Sequence, residues 1–151
     1  YEKHGLKSIC YRPFSGYGED QDLNYPFPSI CKRILQNKDK KKFTVWGSGN
    51  QMRDFIHIDD CVYGVIKSMN KINNGNPLNL SNGIFLNFKD FAKKTAKIIG
   101  YNPKVIGTTN KPEGVFARAG DTSKQRQFGI KYKITLENGI KKSLKFLDNK
   151  I

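Results

Sequence analysis

At 151 residues, with 37% apolar residues, ten Phe, seven Tyr and a net charge of +14, the chain has the length and bulk for one compact domain with a substantial core. No apolar run approaches the roughly 20 residues that cross a bilayer, and residues 1–7 carry neither the apolar segment nor the small-residue site of a secretory signal, so a cytoplasmic address is expected. Three cysteines and two histidines are too few and too scattered for a disulfide framework or a metal site, and Cys10, Cys31 and Cys61 are each expected to fill core space.

Tyr1 to Gly5 reads as the tail of a helix running straight into a strand, as though the fold begins upstream. Ser8-Ile-Cys-Tyr-Arg12 is a short apolar run expected to be a buried strand, followed by Pro, two Gly and an acidic stretch that read as a loop. Pro28 opens a helix that puts Ile30, Cys31, Ile34 and Leu35 on one face, proline being well suited to a first turn. Lys38-Asp-Lys-Lys-Lys-Lys42, the one real cluster among otherwise dispersed lysines, reads as a solvated loop.

Phe43-Thr-Val-Trp46 and Asp54-Phe-Ile-His-Ile58 are expected strands around a Gly-Ser-Gly-Asn turn. The next helix takes its cap oxygen from Asp59 or Asp60 and places Val62, Val65, Ile66 and Met69 inward before Asn-Asn-Gly stops it. Pro77-Leu-Asn-Leu80 is a strand candidate. Asn87 with Asp90 imitates a capping box and opens a helix closed by Gly100.

Lys104-Val-Ile-Gly107 follows as a strand, and Asp121 caps a short helix ending at Gly129. Thr135 caps a final helix with Leu136, Ile140, Leu144 and Leu147 inward. Strands alternating with helices, without repeats or a linker, predict a single α/β unit. No glycine-rich pyrophosphate loop of a dinucleotide fold follows any of the strands.

The stretch richest in chemistry runs from Val45 to Asp60 and sets an indole, a glycine turn and one arginine close together. A planar aromatic stacks on a base, glycines let backbone approach a ligand, and a guanidinium pairs with phosphate oxygens in a two-pronged way. From composition alone the competing readings are Trp46 as a core aromatic and Arg53 as a surface ion pair with Asp54 or Asp59.

Trp46-Gly-Ser-Gly, then Met-Arg and an aromatic strand ending in Asp-Asp, resembles the extended short-chain dehydrogenase/reductase family. That family holds the NAD-dependent epimerases and dehydratases of nucleotide sugars, among them the GDP-fucose synthase and GDP-mannose 3,5-epimerase types. Arg12-Pro-Phe-Ser-Gly-Tyr-Gly-Glu19 is similar to its Arg-x-x-Asn-x-Tyr-Gly-Pro loop, with Ser15 for Asn and Glu19 for Pro. Residues 28–35 are similar to its substrate helix, and Asn110-Lys-Pro-Glu-Gly-Val-Phe-Ala-Arg118 to its Lys-Pro-Asp/Glu-Gly loop. The resemblance covers nearly the whole chain in order.

It implies an α/β fold, namely the C-terminal substrate-binding part of an extended Rossmann-type short-chain dehydrogenase without the N-terminal nucleotide-binding strands. Residues 1–24 would end the Rossmann-type domain with its last strand and cofactor-side loop. Residues 25–151 would form the sugar-nucleotide-binding domain, with segments packing back on the Rossmann sheet. The full-length enzyme would use NAD or NADP and no metal, act on a GDP-sugar or similar nucleoside diphosphate sugar, and form a homodimer. This stretch alone is expected to be inactive.

Carried over by position, the resemblance places Pro13, Phe14 and Ser15 beside the nicotinamide end of the cofactor. Arg33, Trp46, Arg53, Lys111 and Arg118 fall at the substrate. Tyr25 stands near a catalytic histidine of the synthases, as a candidate proton donor or substrate contact. Tyr63-Gly-Val-Ile-Lys67 spells the Tyr-x-x-x-Lys pair of the superfamily, but it lies downstream of the strand at Ser8 to Arg12 instead of upstream, which marks it as a chance match. His57 reads as a packed strand residue. Two other classes stand beside the enzyme: a non-catalytic basic module binding nucleic acid, suggested by the charge, and a free-standing sugar-nucleotide-binding fragment.

Overall fold

The computed structural model describes residues 1–108, 110–111 and 113–150. Six strands pair in parallel twos. Strand β1 (Cys10–Pro13) lies beside β6 (Pro77–Leu80), β2 (Gly16–Tyr17) beside β5 (Ile56–His57), and β3 (Lys42–Trp46) beside β8 (Lys104–Thr108). Parallel partners need long crossovers, and the intervening helices supply them. A fourth, mixed sheet sets β4 (Met52–Asp54) between antiparallel β7 (Phe85–Asn87) and parallel β9 (Ala117–Arg118).

Helices α1 (Pro26–Gln36), α3 (Phe88–Ile98) and α5 (Leu136–Asp148) pack on one another. Their apolar spacing explains why: Ile30, Cys31 and Ile34 meet Phe91, Ala92 and Ala96, and Ile140, Leu144 and Leu147 in one buried cluster. The caps fall where the side chains can accept, with Asn87 taking the Asp90 N–H at 2.8 Å and Thr135 the Asn138 N–H at 3.2 Å. Tyr17 stacks on Phe27 with centroids 3.8 Å apart, and Phe55 and Phe91 close the same aromatic cluster. Each such ring contributes about 1.5–3 kcal/mol by leaving water. No helix among the described residues is long and apolar enough to cross a membrane.

Several expectations need correction. The strand read as buried is exposed over most of its length, Cys10 included, because β1 is hydrogen-bonded to β6 along a single edge. Helix α1 starts at Pro26, two residues early, since that proline also fits a first turn. The segment 54–58 is not one strand: it breaks at Phe55, so that β4 and β5 join different sheets.

Helix α2 (Ile58–Ser68) is capped by His57, whose Nδ1 accepts the Asp59 N–H at 3.1 Å. Asp60 instead accepts the N–H groups of Lys133 and Ile134, both at 3.0 Å. Its inward face is Cys61, Gly64 and Ser68, with Val65 half-buried, while Val62, Ile66 and Met69 are exposed. Helix α4 (Ser123–Gln127) has Thr122 at its cap position, with the Asp121 carboxylate accepting the Ser123 N–H at 2.6 Å.

Candidate functional site

The site is built around the turn that joins β3 to β4. Gly47 and Gly49 take φ of 67° and 74° there, a left-handed region that side-chain-bearing residues avoid. At Gly47 there is no room either, because a Cβ would strike the amide of Gln51 and lie 3.1 Å from Glu113. This turn leaves Trp46 at the end of β3 and Arg53 in the middle of β4, both on the wall of a cavity of about 130 Å³ beneath α1. Trp46 is 56% exposed, so it is not a core aromatic.

Arg53, Pro26 and Phe88 also border an adjoining cavity of about 380 Å³, whose other walls include Ser15, Gln21, Tyr25 and Arg118. The two cavities form one cleft with Arg53 at its waist. Arg53 and Arg118 are register partners on β4 and β9. Burial, and then the charge of Arg118, hold the Arg53 guanidinium below its ordinary pKa. That guanidinium lies 5.4 Å over the Phe88 ring and donates to the Met52 carbonyl at 2.8 Å.

Neither arginine joins an ion pair among the described residues. Asp54 is fully buried and accepts from the Ser81 hydroxyl, from Asn82 N–H at 3.0 Å and from Gly83 N–H at 2.8 Å. Asp59 meets Lys142 at 3.0 Å. Both candidate partners for Arg53 are thus committed elsewhere, and the surface ion pair does not form.

The remaining residues named from the sequence sort by distance from this waist. Arg33 stands on the wall of the smaller cavity, packed 4.9 Å over Phe43 and donating to the Thr44 carbonyl, with burial lowering its pKa. Lys111 sets its ammonium 5.7 Å over the Trp46 ring. Of the expected Lys-Pro-Glu-Gly loop, Pro112 lies outside the described residues. Glu113 fastens the loop to the turn by accepting the Ser48 hydroxyl and, through its carbonyl, the Gln51 side-chain N–H at 3.0 Å.

Tyr25 is exposed and borders the larger cavity. Ser15 takes φ of 39°, a strained conformation for serine that Asn tolerates better. Pro13 faces a third hollow together with Tyr25, Glu19 and Asp20. Phe14 donates its N–H to the Leu80 carbonyl at 2.9 Å and packs under Gly120, to the side of the cleft.

Tyr63 packs in the cluster around Ile56, with Lys133 over its ring at 5.7 Å, so its motif with Lys67 belongs to α2 packing. His57 is buried, its Nε2 3.3 Å from Glu19 Oε2, and serves as the helix cap. Sequence reasoning missed Gln51 and Phe88. Nothing in the local pattern marks a turn glutamine or a capped-helix phenylalanine as cleft residues. No group of three or more metal-ligating side chains occurs among the described residues.

The sequence model of the NAD dependent epimerase/dehydratase family matches residues 1–81. GDP-L-fucose synthase of Escherichia coli K12 is 31% identical over 163 residues, covering 97% of this chain and 51% of that protein. A probable GDP-L-fucose synthase of Oryza sativa subsp. japonica is 26% identical over 150 residues, covering 95% and 46%. The chain spans about half the length of the curated relatives it matches.

Among solved structures, RMD of Pseudomonas aeruginosa complexed with NADPH superposes with a TM-score of 0.86 at 17% identity, over 99% of this chain and 51% of that one. UDP-glucose 4-epimerase of Thermotoga maritima, solved with UDP-glucose, gives 0.85 at 23%, over 99% and 48%. These likenesses show a shared α/β fold. The family match extends over more than half of the chain, through the β3–β4 turn and the Arg53 strand, and the chain belongs to the NAD-dependent epimerase/dehydratase family.

Proposed function

We propose that this chain is the sugar-nucleotide-binding portion of an NAD(P)-dependent nucleotide-sugar epimerase, dehydratase or reductase that acts on a GDP-sugar or a similar nucleoside diphosphate sugar. The observation that carries the reading is Arg53 beside Arg118 at the waist of the cleft, without a carboxylate partner among the described residues. Two like charges side by side repel in a partly desolvated place, and an anion relieves that cost. A diphosphate brings the charge and the oxygens that two guanidiniums can fork. Trp46 and Lys111 offer an aromatic face and a cation at the nucleoside end, and Arg33, pinned to Thr44, is a fixed wall. Tyr25 and Ser15 border the larger cavity, where the sugar would lie. The names of the GDP-L-fucose synthases support a guanosine nucleotide.

The same reading divides the chain at residue 24. Residues 1–24 end a Rossmann-type domain and residues 25–151 form the sugar-nucleotide domain. Segments of the second part would pack back on the Rossmann sheet, and two features fit that packing. A two-stranded parallel pair such as β1 with β6 is ordinarily part of a larger covered sheet, and α2 presents an apolar stripe to solvent. The third hollow, beside Pro13, Gly16, Gly18 and the acids Glu19 and Asp20, suits the phosphate-free nicotinamide end of NAD(P) and would repel its pyrophosphate. When bound there, NAD(P) supplies hydride transfer to or from the sugar carbon. The residues of this chain orient the sugar and exclude water on that side.

The test is calorimetric titration of the chain with GDP and with a GDP-sugar, for the wild type and Arg53→Ala. The expected result is saturable binding that the substitution weakens about tenfold, or about 1.4 kcal/mol. Equal affinity in the two proteins removes Arg53 from the site. Salt-dependent DNA binding with no response to nucleotides would favour the basic-module class instead.

A further inference from the structure

Away from the nucleotide cleft, a hollow of about 550 Å³ opens between the last turns of α3, the start of α5 and β7, within the roughly 300–1,000 Å³ of small-molecule sites. Its floor is aliphatic: Leu86, Ile98 and Leu136 rest half-buried on the main core cluster. Ile84 stands at its edge, 56% exposed. Aliphatic surface left open to water in a concave place gains by being covered.

The rim decides what covers it. Lys94 and Lys97 stand there on α3 and Lys141 on α5, and Glu137 is the one acid among the described lining residues. Glu137 pairs with Lys141 at 2.6 Å. Its carboxyl is held below the ordinary range first by Lys141 and then by the more distant charges of Lys94 and Lys97. Those two ammoniums join no ion pair among the described residues. An aliphatic floor under two uncommitted positive charges is complemented by an apolar body with an anionic end.

The length of the hollow separates one such occupant from another. Residues 94–98 of α3 and 136–141 of α5 line it, about 6–8 Å along each axis. A docked peptide helix anchors from residue i to i+7, about 10 Å, and would overhang. An extended peptide would set its backbone N–H and C=O groups against aliphatic walls that cannot pair them. A single alkyl chain brings no polar group except its end.

We propose that this hollow binds the alkyl chain of a free fatty-acyl carboxylate, with the carboxylate at Lys94 and Lys97. The hollow lies at the opposite end of α3 from Phe88 and the cleft, so it stands or falls apart from the nucleotide reading.

Calorimetric titration of the chain with monomeric decanoate, octanoate, decanol and decyltrimethylammonium tests it. Decanoate is expected to saturate one site, and octanoate to bind about tenfold more weakly for the methylenes it lacks. Decanol should bind about threefold more weakly than decanoate, as an exposed ion pair implies, and the cationic amphiphile more weakly still. Lys94→Gln with Lys97→Gln, both at exposed positions, should abolish the preference for decanoate over decanol, and Ile84→Ser should weaken both. The wild-type series decides the matter even where a substituted chain fails to fold. Absence of saturable decanoate binding, equal affinity for the anionic and cationic amphiphiles, or an unchanged preference in the double-lysine variant overturns the proposal. Binding only to vesicles of anionic phospholipid, or only to an acidic amphipathic peptide, overturns it as well.

Discussion

Arg53 and Arg118 face each other in register across parallel strands β4 and β9, and the charge of Arg118 helps to hold Arg53 below its ordinary pKa. Removing one of two repelling charges relieves the free protein while weakening its grip on an anion. Arg118→Gln, at an exposed position, is therefore expected to leave the unliganded chain within about 0.5 kcal/mol of wild type and to lower GDP affinity about tenfold. Paired thermal melts with and without GDP read both quantities. A large loss of stability without ligand would mean that Arg118 is a structural residue.

Trp46 is the sole tryptophan and is more than half exposed, with Lys111 over its ring. Its fluorescence reports directly on the cleft. GDP is expected to shift the emission to the blue as the indole loses water, and Lys111→Ala to weaken binding by the roughly 0.5–1 kcal/mol of an exposed cation on an aromatic face. An emission spectrum indifferent to saturating GDP would place the nucleotide elsewhere.

Asp54, next to Arg53, is a different kind of residue. Its buried carboxylate gathers the Ser81 hydroxyl and the N–H groups of Asn82 and Gly83, which ties the loop after β6 to β4. Asp54→Ala strands those donors out of water, and the unfolding free energy should fall by about 3 kcal/mol. Urea denaturation measures it, and an unchanged midpoint would show that the loop finds other partners.

The three cysteines separate by burial. Burial first, and the neighbouring Asp60 charge second, push the Cys61 thiol up to about 11, so at pH 8 only about one molecule in a thousand carries the reactive thiolate. Cys31 is raised further by burial, whereas Cys10 is exposed. Iodoacetamide at pH 8 is expected to label Cys10 alone until the chain unfolds. Labelling of Cys61 in the folded chain would reveal an opening of α2.

Where local chemistry decides, the sequence was readable. The caps at Asn87 and Thr135 formed as their spacing implied, and the apolar faces of α1 and α5 are buried in the core. Strands of two or three residues, such as β2, β4, β7 and β9, carry no periodicity to read. Trp46 and Arg53 were visible because one turn holds both. The nearness of Arg118 to Arg53 arises from pairing across 64 intervening positions, and the hold of the Gln51 amide on the Glu113 carbonyl is likewise long-range, which no local sequence pattern records.

Helix α2 shows the same limit and yields a last test. Its periodicity was real, but two faces compete. Gly64 lets the helix approach Leu80 so closely that a Cβ would come within 2.9 Å, and the Tyr11 hydroxyl reaches the Val65 carbonyl at 3.2 Å. The face of small residues therefore goes inward, and Ile58, Val62, Ile66 and Met69 form an exposed stripe beside the strand pair β1–β6. If the proposed Rossmann-type half covers that stripe, Ile66→Lys with Met69→Lys should leave the stability of this chain alone within about 0.5 kcal/mol and reduce its self-association. In the full-length protein the same pair of substitutions should destabilise by several kcal/mol, on the order of two unpaired buried charges. Equal effects in the two proteins would mean that the stripe remains in water throughout.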